Sequence, residues 1–585
     1  MEHKSILIKN GLLFNGSKAE AKVQNLLIKN GKIVKLSQTE IPIDSSVKVI
    51  DAAGKWVMPG FIDIHTHYDA EIEAIPSLHE SVRHGISTVF LGSCSLSVAL
   101  GTAEDLADTF TRVEAIPREH LLPLLENKKS WNTIKEYVDH FSEIPIGPNV
   151  ASYVGYSTIR SYVMGLKRSL TKGEKPTPDE IKKIKSLIEE GFDEGLIGLS
   201  VNTLYWDKMG GERFNSHCLP STYASWKELR EVISLARKRN LVLQTIPNIS
   251  TKYEVFIYAL FSAGLFFRKA LKISLVSLMD IRSNRIMYKV LQGLGFIFNK
   301  VLRGDFRYQS LPTPFDLYAD GVDIVVFEEF GAGAAALHLQ NAVERRKLLE
   351  DPNYRSWFKR QWKNPLLPKV FHRNFSFAIV KECPDDSLVG KSFTEIAKEK
   401  SKDVVDTFLD LVCEYGTKLR WYTVMGNDRK KALGSIMNYS NSMIGFSDAG
   451  AHLRNMAYYN FPLRMLKFIK DSHEEGKPLM SLEKAVWRLT GEIADWYNLD
   501  AGYIKEGSRA DVLVIDPEGL DESVDEIHEE AMEEFGSYKR LVRRNPKAVQ
   551  TVMINGNLAV DNYQLNPNLG KKKGFGKFLK VKTKE

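Results

Sequence analysis

The chain has 585 residues, of which 80 are Lys or Arg and 73 are Asp or Glu, so its formal net charge is +7. Apolar residues make up 43% and charged residues 26%, which is ordinary for a globular protein and excludes disorder as the dominant state. The four cysteines, Cys94, Cys218, Cys383 and Cys413, form no CxxC pair. This argues against a disulfide framework and favours a reducing, cytoplasmic location.

The positive charge is concentrated near the C-terminus. Residues 571–585, KKKGFGKFLKVKTKE, contain seven Lys and one Glu, a net of +6, which leaves +1 for the other 570 residues. A nearly neutral body argues against a nucleic-acid partner and fits a small-molecule substrate. We predict that residues 564–585 form a basic, disordered tail whose candidate partner is an anionic surface.

No targeting or transmembrane segment is predicted. The N-terminal MEHKSILIKNG lacks the apolar region of a signal peptide. The longest apolar run, VFIYALFSAGLFF at 255–267, has 13 residues, whereas a membrane span needs about 20.

The chain begins and ends with β-rich segments. Residues 1–57 contain short alternating runs such as ILIKNGLLF and NLLIKNGKIVKL, separated by Asn-Gly turns. Residues 498–563 repeat this texture in ADVLVID and VQTVMINGNLAV. We expect the two segments to pair into one small β-sandwich.

The middle of the chain, residues 58–497, alternates strand-like and helix-like runs. FIDIHTH, ISTVFLGSC, GLIGLSV, LVLQTI, LKISLVSL and MIGFSD are typical of strands, and SWKELREVISLARKRN has helical spacing. This alternation predicts an α/β protein and, at this length, a (β/α)8 TIM-like barrel. Residues 253–375 interrupt it, which indicates an insertion that serves as a lid, a homo-oligomer surface or a packing subdomain.

Three of the predicted strands end in residues that can carry chemistry. His65 and His67 end the first strand and share one face, so both imidazoles can bind one ion. Cys94 ends the second, where its thiolate could bind zinc, although a free cysteine is more often a small buried apolar residue. Asp448 ends a late strand, where it could transfer a proton from an attacking water or cap a helix.

Taken in this order, the motifs resemble a known family. PGFIDIHTH, TVFLGSCS, GSRADVLVID and the Ser-Asp pair at 447–448 resemble the amidohydrolase superfamily, and most closely its D-aminoacylase, or N-acyl-D-amino-acid deacylase, branch. Residues 150–165 and 192–200 also resemble that branch, and the likeness spans about residues 5–560.

The resemblance implies a β-sandwich beside a (β/α)8 barrel, with zinc in the barrel mouth activating a water to attack an amide carbonyl. It also implies that His65, His67 and Cys94 are metal ligands. Asp448 is implied to be both a ligand and the proton shuttle.

The chain departs from the family pattern at three positions. The fifth strand, LVLQTIP, carries Gln244 or Thr245 where the family has a ligand histidine. The sixth, SLVSLMDIRSN, offers Ser277 or Asp280, and Tyr156 stands where a further histidine follows Val-Gly. An amide oxygen binds zinc more weakly than an imidazole does, so of one or two zinc ions, one is favoured.

Four other residues are candidates for completing the site. His452 or His217 is a candidate substitute ligand, against the alternative of an ordinary loop or core histidine. An acylated amino acid carries a carboxylate, for which Arg160 and Arg454 are candidate partners, with His452 as a further candidate for substrate binding. Either arginine could equally be structural.

We therefore predict a zinc-dependent hydrolase of carbon–nitrogen bonds other than peptide bonds, acting on a linear amide such as an N-acyl-D-amino acid. One alternative is a hydantoinase-like cyclic amidase, although such enzymes usually have a carboxylated lysine on the fourth strand and GLIGLSVN has none. The other is a non-catalytic scaffold that oligomerises through the barrel and the insertion.

Overall fold

The computed structural model describes residues 5–248, 251, 253–265, 267–339, 341–365, 367 and 369–581. Five strands form its N-terminal segment: β1 (Ser5–Leu13), β2 (Lys22–Lys29), β3 (Lys32–Ser37), β4 (Lys48–Asp51) and β5 (Trp56–Pro59). β1 pairs antiparallel with β2 and parallel with β4 and β5. Asn30 and Gly31 link β2 to β3 with positive φ at both positions, as a two-residue hairpin turn requires.

Parallel strands alternate with helices from residue 61 to residue 310. The strands are β6 (Phe61–Asp63), β7 (His65–Thr66), β8 (Ile86–Leu91), β9 (Asn149–Ser152), β10 (Val154–Gly155), β11 (Gly198–Asn202), β12 (Val242–Ile246), β13 (Lys272–Val276) and β14 (Asp305–Ser310). β6 pairs with β8 and β8 with β9, and β10 to β14 pair in chain order. Tyr153 alone separates β9 from β10.

Helices connect these strands and cover them. They are α1 (Glu71–Ala74), α2 (His79–Val82), α3 (Ala103–Val113), α4 (Arg118–Lys128), α5 (Ile134–His140), α6 (Tyr156–Met164), α7 (Leu166–Ser169), α8 (Pro178–Asp193), α9 (Trp226–Lys238), α10 (Glu254–Ser262) and α11 (Met287–Lys300). α8 shows the usual design: Thr177 and Glu180 form a capping box at its start, and Ile184, Leu187 and Ile188 are buried on one side.

The strand–helix alternation extends further along the chain than the sequence predicted. We expected an insertion at about 253–375, but α10, β13, α11 and β14 continue the regular order to Ser310. The apolar residues of α10 occur on nearly all its sides, so no helical period is visible in its sequence. The interruption lies between β14 and the next parallel strand.

This insertion is a subdomain with its own sheet. It contains β15 (Phe315–Asp320), α12 (Gly331–His338), α13 (Ala342–Glu350), α14 (Pro352–Lys363), β16 (Ala378–Glu382), α15 (Phe393–Glu399), α16 (Val404–Tyr415), β17 (Arg420–Gly426) and α17 (Lys430–Asn438). β17 pairs antiparallel with β15 and β16. The rings of Trp362, Phe408 and Trp421 lie within 6.4 Å of Phe327, so the subdomain has an aromatic core.

The last parallel segment returns to the first. It consists of β18 (Ser442–Ile444) and β19 (Phe446–Ala449), followed by α18 (Phe461–Glu474), α19 (Leu482–Leu489) and α20 (Gly491–Tyr497). β18 pairs with β14 and β19 pairs with β7, both parallel. None of the helices in the described ranges has both the length and the apolar character that crossing a membrane requires.

The C-terminal strands join the N-terminal ones in a single nine-stranded sheet. They are β20 (Val512–Ile515), β21 (Ile527–Met532), β22 (Tyr538–Arg543), β23 (Val549–Ile554), β24 (Asn557–Asp561) and β25 (Gln564–Leu565). β20 pairs antiparallel with β5, while β21 and β22 form a separate hairpin. Alternate residues of β20 face two cores, with Val512 and Val514 in a cluster confined to this sheet and Leu513 and Ile515 in the main core.

The predicted disorder of the tail is wrong for residues 564–581. Phe575, Leu579 and Val581 are buried, and the ring of Phe578 stacks on Phe141 with centroids 5.4 Å apart. The N–H of Leu579 donates to the carbonyl of Val150 at 2.7 Å, which ties the segment to β9. The apolar residues between the lysines therefore pack on the α/β region, although the lysine content suggested a solvated end. Residues 582–585 lie outside the described residues.

Candidate metal centre

His65 and His67 lie side by side at the carboxyl end of the first parallel strand. They expose 1% and 3% of their surface. Phe446 of β19 pairs with His65, and the N–H of His67 donates to the carbonyl of Ala449 at 2.7 Å. The strand geometry brings both imidazoles to one face, with ring centroids 5.3 Å apart.

Cys94 lies in a strained turn directly after β8. Its φ is +53° and that of Ser95 is +71°, a left-handed conformation that non-glycine residues adopt at an energetic cost. Side chains from two neighbouring strands stabilise the turn. The N–H of Cys94 donates to Gln244 Oε1 at 3.0 Å, and that of Ser95 donates to Ser200 Oγ at 3.1 Å.

Four donor atoms converge between these strands. Cys94 Sγ lies 3.1 Å from His65 Nε2 and 3.6 Å from His67 Nε2. Asp448, on β19 with a φ of +58°, places its Oδ1 3.5 Å from His65 Nε2 and 3.2 Å from His67 Nε2. The structure thus brings together the four residues for which the family resemblance implied a ligand role.

The ligand atoms of His65, His67 and Cys94 all lie within 4.8 Å of one another, close enough to bind one metal ion. Zinc binds nitrogen and oxygen at about 2.0–2.2 Å and sulfur at about 2.3 Å, so neighbouring ligand atoms lie about 3.3–3.6 Å apart. The four separations above run from 3.1 to 3.6 Å. Two imidazoles and a thiol are a donor set that suits zinc better than magnesium or calcium.

Burial and mutual charge shift the pKa values of these groups. Burial raises the pKa of the Cys94 thiol well above its ordinary value, and the charges of Asp207 and Asp448 add to this. Burial lowers the pKa of His65 to about 4, so its imidazole is neutral. Burial opposes ionisation of Asp448, but its hydrogen bond to His67 and the charge of that imidazole hold its pKa well below the usual range. The neutral imidazole of His65 and the carboxylate of Asp448 can therefore bind a cation directly. The Cys94 thiol, in contrast, would ionise only with a cation bound beside it.

Gln309, on β14, orients His65. Its Oε1 accepts from His65 Nδ1 at 2.6 Å, which leaves Nε2 of the imidazole available to an ion. Its Nε2 donates to Ser274 Oγ at 2.9 Å, which fixes the direction of the amide. The sequence analysis missed Gln309, since no motif distinguishes a glutamine on this strand.

Two carboxyl groups continue the alternation around the histidines. Asp63 accepts from the N–H of His65 at 3.3 Å and from the Ser447 hydroxyl, and Asp69 accepts from the N–H of Gly92 at 3.1 and 3.2 Å. Burial raises the pKa of Asp63 to about 8 and that of Asp69 to about 7. The pattern Asp-x-His-x-His-x-Asp was a readable signal that these side chains share one face.

Comparisons with known proteins find uncharacterised relatives over the whole chain and deacylases over part of it. No family model matches it. An uncharacterised protein of Mycobacterium tuberculosis is 43% identical over 579 residues, which cover 98% of this chain and 94% of that protein. The N-acyl-D-aspartate deacylase of Alcaligenes xylosoxydans xylosoxydans is 30% identical over 199 residues, which cover 34% of this chain and 36% of the enzyme.

Solved structures share the fold along nearly the whole chain. A D-aminoacylase with a binuclear metal centre has a TM-score of 0.60 at 20% identity, and the N-acyl-D-glutamate deacylase of Bordetella bronchiseptica, complexed with zinc and a phosphonate inhibitor, has 0.62 at 17%. Both alignments cover 98% of this chain and 99% of the other. The chain therefore has the fold of these two deacylases and is similar in sequence, over about a third of its length, to a third one.

On the opposite side of the cluster, the chain carries amides and hydroxyls. Gln244 and Ser274 lie in register on β12 and β13, and both are fully buried. Gln244 Oε1 is occupied by the N–H of Cys94, and its Nε2 has no hydrogen-bond partner among the described residues. Asp280, the sixth-strand alternative, is bound by Arg429 at 2.6 Å and is not part of the cluster. No imidazole replaces the two missing ones in the described part of this region.

Arg160 is a structural residue, and its predicted role in substrate binding is wrong. It is fully buried, and its Nε donates to Glu228 at 2.8 Å. Its Nη1 donates to the carbonyls of Ser169 and Pro220 at 2.5 and 3.2 Å. Tyr156 donates to the same Glu228 at 2.5 Å, so both residues serve a buried polar network instead of the metal centre.

The three remaining candidates have different outcomes. His452 lies close enough to the cluster for the charge of Asp448 to raise its pKa, although burial lowers that pKa by more. Arg454 donates to Asp320 at 3.0 Å and to Glu529 at 2.6 Å, so it links the insertion to the β21–β22 hairpin. His217 is exposed on a loop and takes no part in the cluster.

Three charged residues that the sequence analysis missed surround the cluster. The charge of Asp207, in the loop after β11, raises the pKa of Cys94. The charge of Arg112, at the end of α3, lowers the pKa of His452. Arg112 also forms an ion pair with Glu328 of the insertion. The charge of Glu328 in turn raises the pKa of Asp207. They come from three distant segments, so only the tertiary structure could identify them.

Proposed function

We propose that this protein is a metal-dependent amidohydrolase that cleaves a linear amide, an N-acyl-D-amino acid. The observation that carries the proposal is the convergence of His65, His67, Cys94 and Asp448 at strand ends. We further propose that eight parallel segments form a (β/α)8 barrel, which would place this cluster at its mouth. The segments are β6 with β7, β8, β9 with β10, β11, β12, β13, β14, and β18 with β19.

We propose that His65, His67 and Cys94 hold one zinc ion, with Asp448 as a fourth group at ligand distance. A bound zinc ion supplies Lewis acidity, polarising the amide carbonyl and lowering the pKa of water. The uncharged amides on the opposite side support a single ion, because Gln244 and Gln309 are weak ligands.

Asp448 serves as the proton carrier in this proposal. Its ionised Oδ1 can accept the proton of the attacking water and deliver it to the nitrogen of the departing amine. His67 and His65 orient the carboxylate from 3.2 and 3.5 Å. Gln309 keeps the His65 tautomer constant through this transfer.

The substrate carboxylate needs a cation, and we propose Arg112 for this role. A guanidinium has five N–H donors, and that of Arg112 reaches Glu328 with one of them. Arg112→Gln should raise KM about 10–100-fold with a smaller effect on kcat. Arg454→Gln is the matched control, since its partners Asp320 and Glu529 lie outside the cluster.

One experiment tests the function. The bound metal is measured by elemental analysis, and hydrolysis is assayed on N-acetyl-D- and N-acetyl-L-amino acids, with hydantoin as a cyclic competitor. We expect about one zinc per chain and turnover of D-substrates that a chelator abolishes. Protein without metal and without turnover would support the scaffold alternative, and preferential opening of hydantoin would support the cyclic amidase.

A further inference from the structure

Half of the large apolar side chains that the described chain exposes occur in one short stretch. Ten of nineteen lie between residues 253 and 301. They are Tyr253, Phe256, Leu260, Phe267, Ile286, Met287, Val290, Phe296, Ile297 and Val301. We call the surface they form on α10, α11 and the intervening loop the α10–α11 face.

The two helices of this face pack against each other. The ring of Phe256 on α10 meets that of Phe298 on α11 edge-on, with centroids 6.1 Å apart. Phe298 is buried and packs in turn on Phe306 of β14. The exposed residues therefore lie on the outer sides of two adjoining helices. Monomeric globular proteins rarely expose an apolar surface of this kind without a partner.

The loop between α10 and β13 is the most exposed part of the face. Phe267 is fully exposed, in a turn with a φ of +63°. Arg268 and Lys269 follow it directly, and both are exposed. An aromatic ring followed by two cations at an exposed turn suits the boundary between lipid headgroups and acyl chains.

The charge of the face has a single sign. Arg268, Lys269, Lys289, Lys300 and Arg303 are exposed. Among the described residues of 251–303 no acidic side chain is exposed, because the two present are buried and bound.

These two acids have partners within the protein. Glu254 accepts from the Thr203 hydroxyl at 2.6 Å, and Asp280 accepts from Arg429 at 2.6 Å. The face therefore presents five cations among ten apolar side chains, with no nearby acid on the same elements to neutralise them.

We propose that the α10–α11 face binds the surface of an anionic phospholipid membrane. Apolar side chains enter the interface while the cations contact the lipid phosphates. A second copy of the chain is a poorer partner, because a two-fold interface would oppose the same five cations to one another. The helices lie on the membrane instead of crossing it, since α10 has 9 residues and α11 has 14.

The test is flotation of the full-length protein with vesicles of phosphatidylcholine, with and without phosphatidylglycerol. We expect binding to the anionic vesicles that weakens as salt is added. Phe267→Ser should lower the partition coefficient about tenfold or more. The double variant Arg268→Gln and Lys269→Gln should lower it about fivefold per charge removed.

The matched control is Lys571→Gln with Lys572→Gln, two exposed cations of the C-terminal segment. It should bind vesicles like the unmodified protein. Equal loss in the control, or no binding to anionic vesicles, overturns the proposal. A dimer in sedimentation that Phe267→Ser dissociates, in a protein that does not float with vesicles, would assign the face to self-association instead. Thermal melting of each variant ensures that only folded proteins are compared.

Discussion

The two sides of the proposed metal centre differ in chemistry. On β7, β8 and β19, His65, His67, Cys94 and Asp448 present atoms that bind metal ions, and Cys94 and Asp448 do so from left-handed backbone conformations. On β12, β13 and β14, the corresponding positions present amides and hydroxyls. One side has the strain and charge of a functional site, and the other has the hydrogen bonding of a support.

The difference indicates how uncharged amides can support the geometry of the first side. Gln309 and Gln244 do not add charge, but they hold His65 and the Cys94 backbone at 2.6 and 3.0 Å. An amide does this in a buried place where a second cation would be costly without further ligands. Changes on the first side should therefore abolish metal binding or chemistry, and changes on the second should only weaken them.

The largest effect is expected from Cys94→Ala. It removes the thiolate ligand, so metal should fall well below one equivalent and kcat/KM should drop at least about 1,000-fold. Elemental analysis and deacylation assays on the same preparation measure both. Cys413→Ala, on α16 in the insertion, should leave both unchanged. An active, metal-loaded Cys94→Ala protein would contradict the ligand assignment.

Asp448→Asn should reduce kcat about 100- to 10,000-fold while metal is retained. Asparagine tolerates the left-handed φ of +58°, so the backbone should not change. Kinetics and metal content are compared with Asp139→Asn, a control on the exposed surface of α5. If metal is lost together with activity, Asp448 is mainly a ligand and the proton transfer belongs to another group.

Gln309→Leu should weaken zinc affinity about 10- to 100-fold, because His65 loses the acceptor that fixes its tautomer. Competition with a chromogenic chelator measures the affinity. Gln309→Glu keeps an acceptor at the same place and should restore most of it. Equal affinities for the leucine variant and the unmodified protein would mean that β14 does not support the metal side.

Gln244→Leu should have the smallest effect on metal. The N–H of Cys94 loses its acceptor, so the free energy of unfolding should fall by about 1–3 kcal/mol. Metal should stay at one equivalent. Denaturant unfolding and elemental analysis provide the readouts. A loss of metal as large as that in Cys94→Ala would erase the distinction between the two sides.

The proximity of the four proposed metal-site residues could be predicted from sequence, and the residues that support them could not. The period-two pattern around His65 and His67 and the strand ends at Cys94 and Asp448 can be read locally in the sequence. Because the carboxyl ends of parallel strands meet in this fold class, these local patterns predict that the four residues lie close together. Gln309 and Arg112 have no local signal, because their meaning comes from strands and helices far away in sequence.

Composition misled in two places. The lysines of residues 571–581 suggest a solvated segment, although Phe575 and Leu579 between them are buried against the α/β region. The continuous apolar run of α10 hides its helix from sequence analysis, because a helix with apolar residues on all sides has no amphipathic period. The same run supplies much of the α10–α11 face.

The pairing of β5 with β20 has a consequence for how the chain folds during synthesis. The two strands are about 450 residues apart, so β5 is made about 20–90 s before its partner leaves the ribosome. During this interval the edge of β5 that later binds β20 is unpaired, and an unpaired edge is a site for aggregation. Production of the protein should therefore be unusually sensitive to translation rate and to chaperones that protect exposed strands.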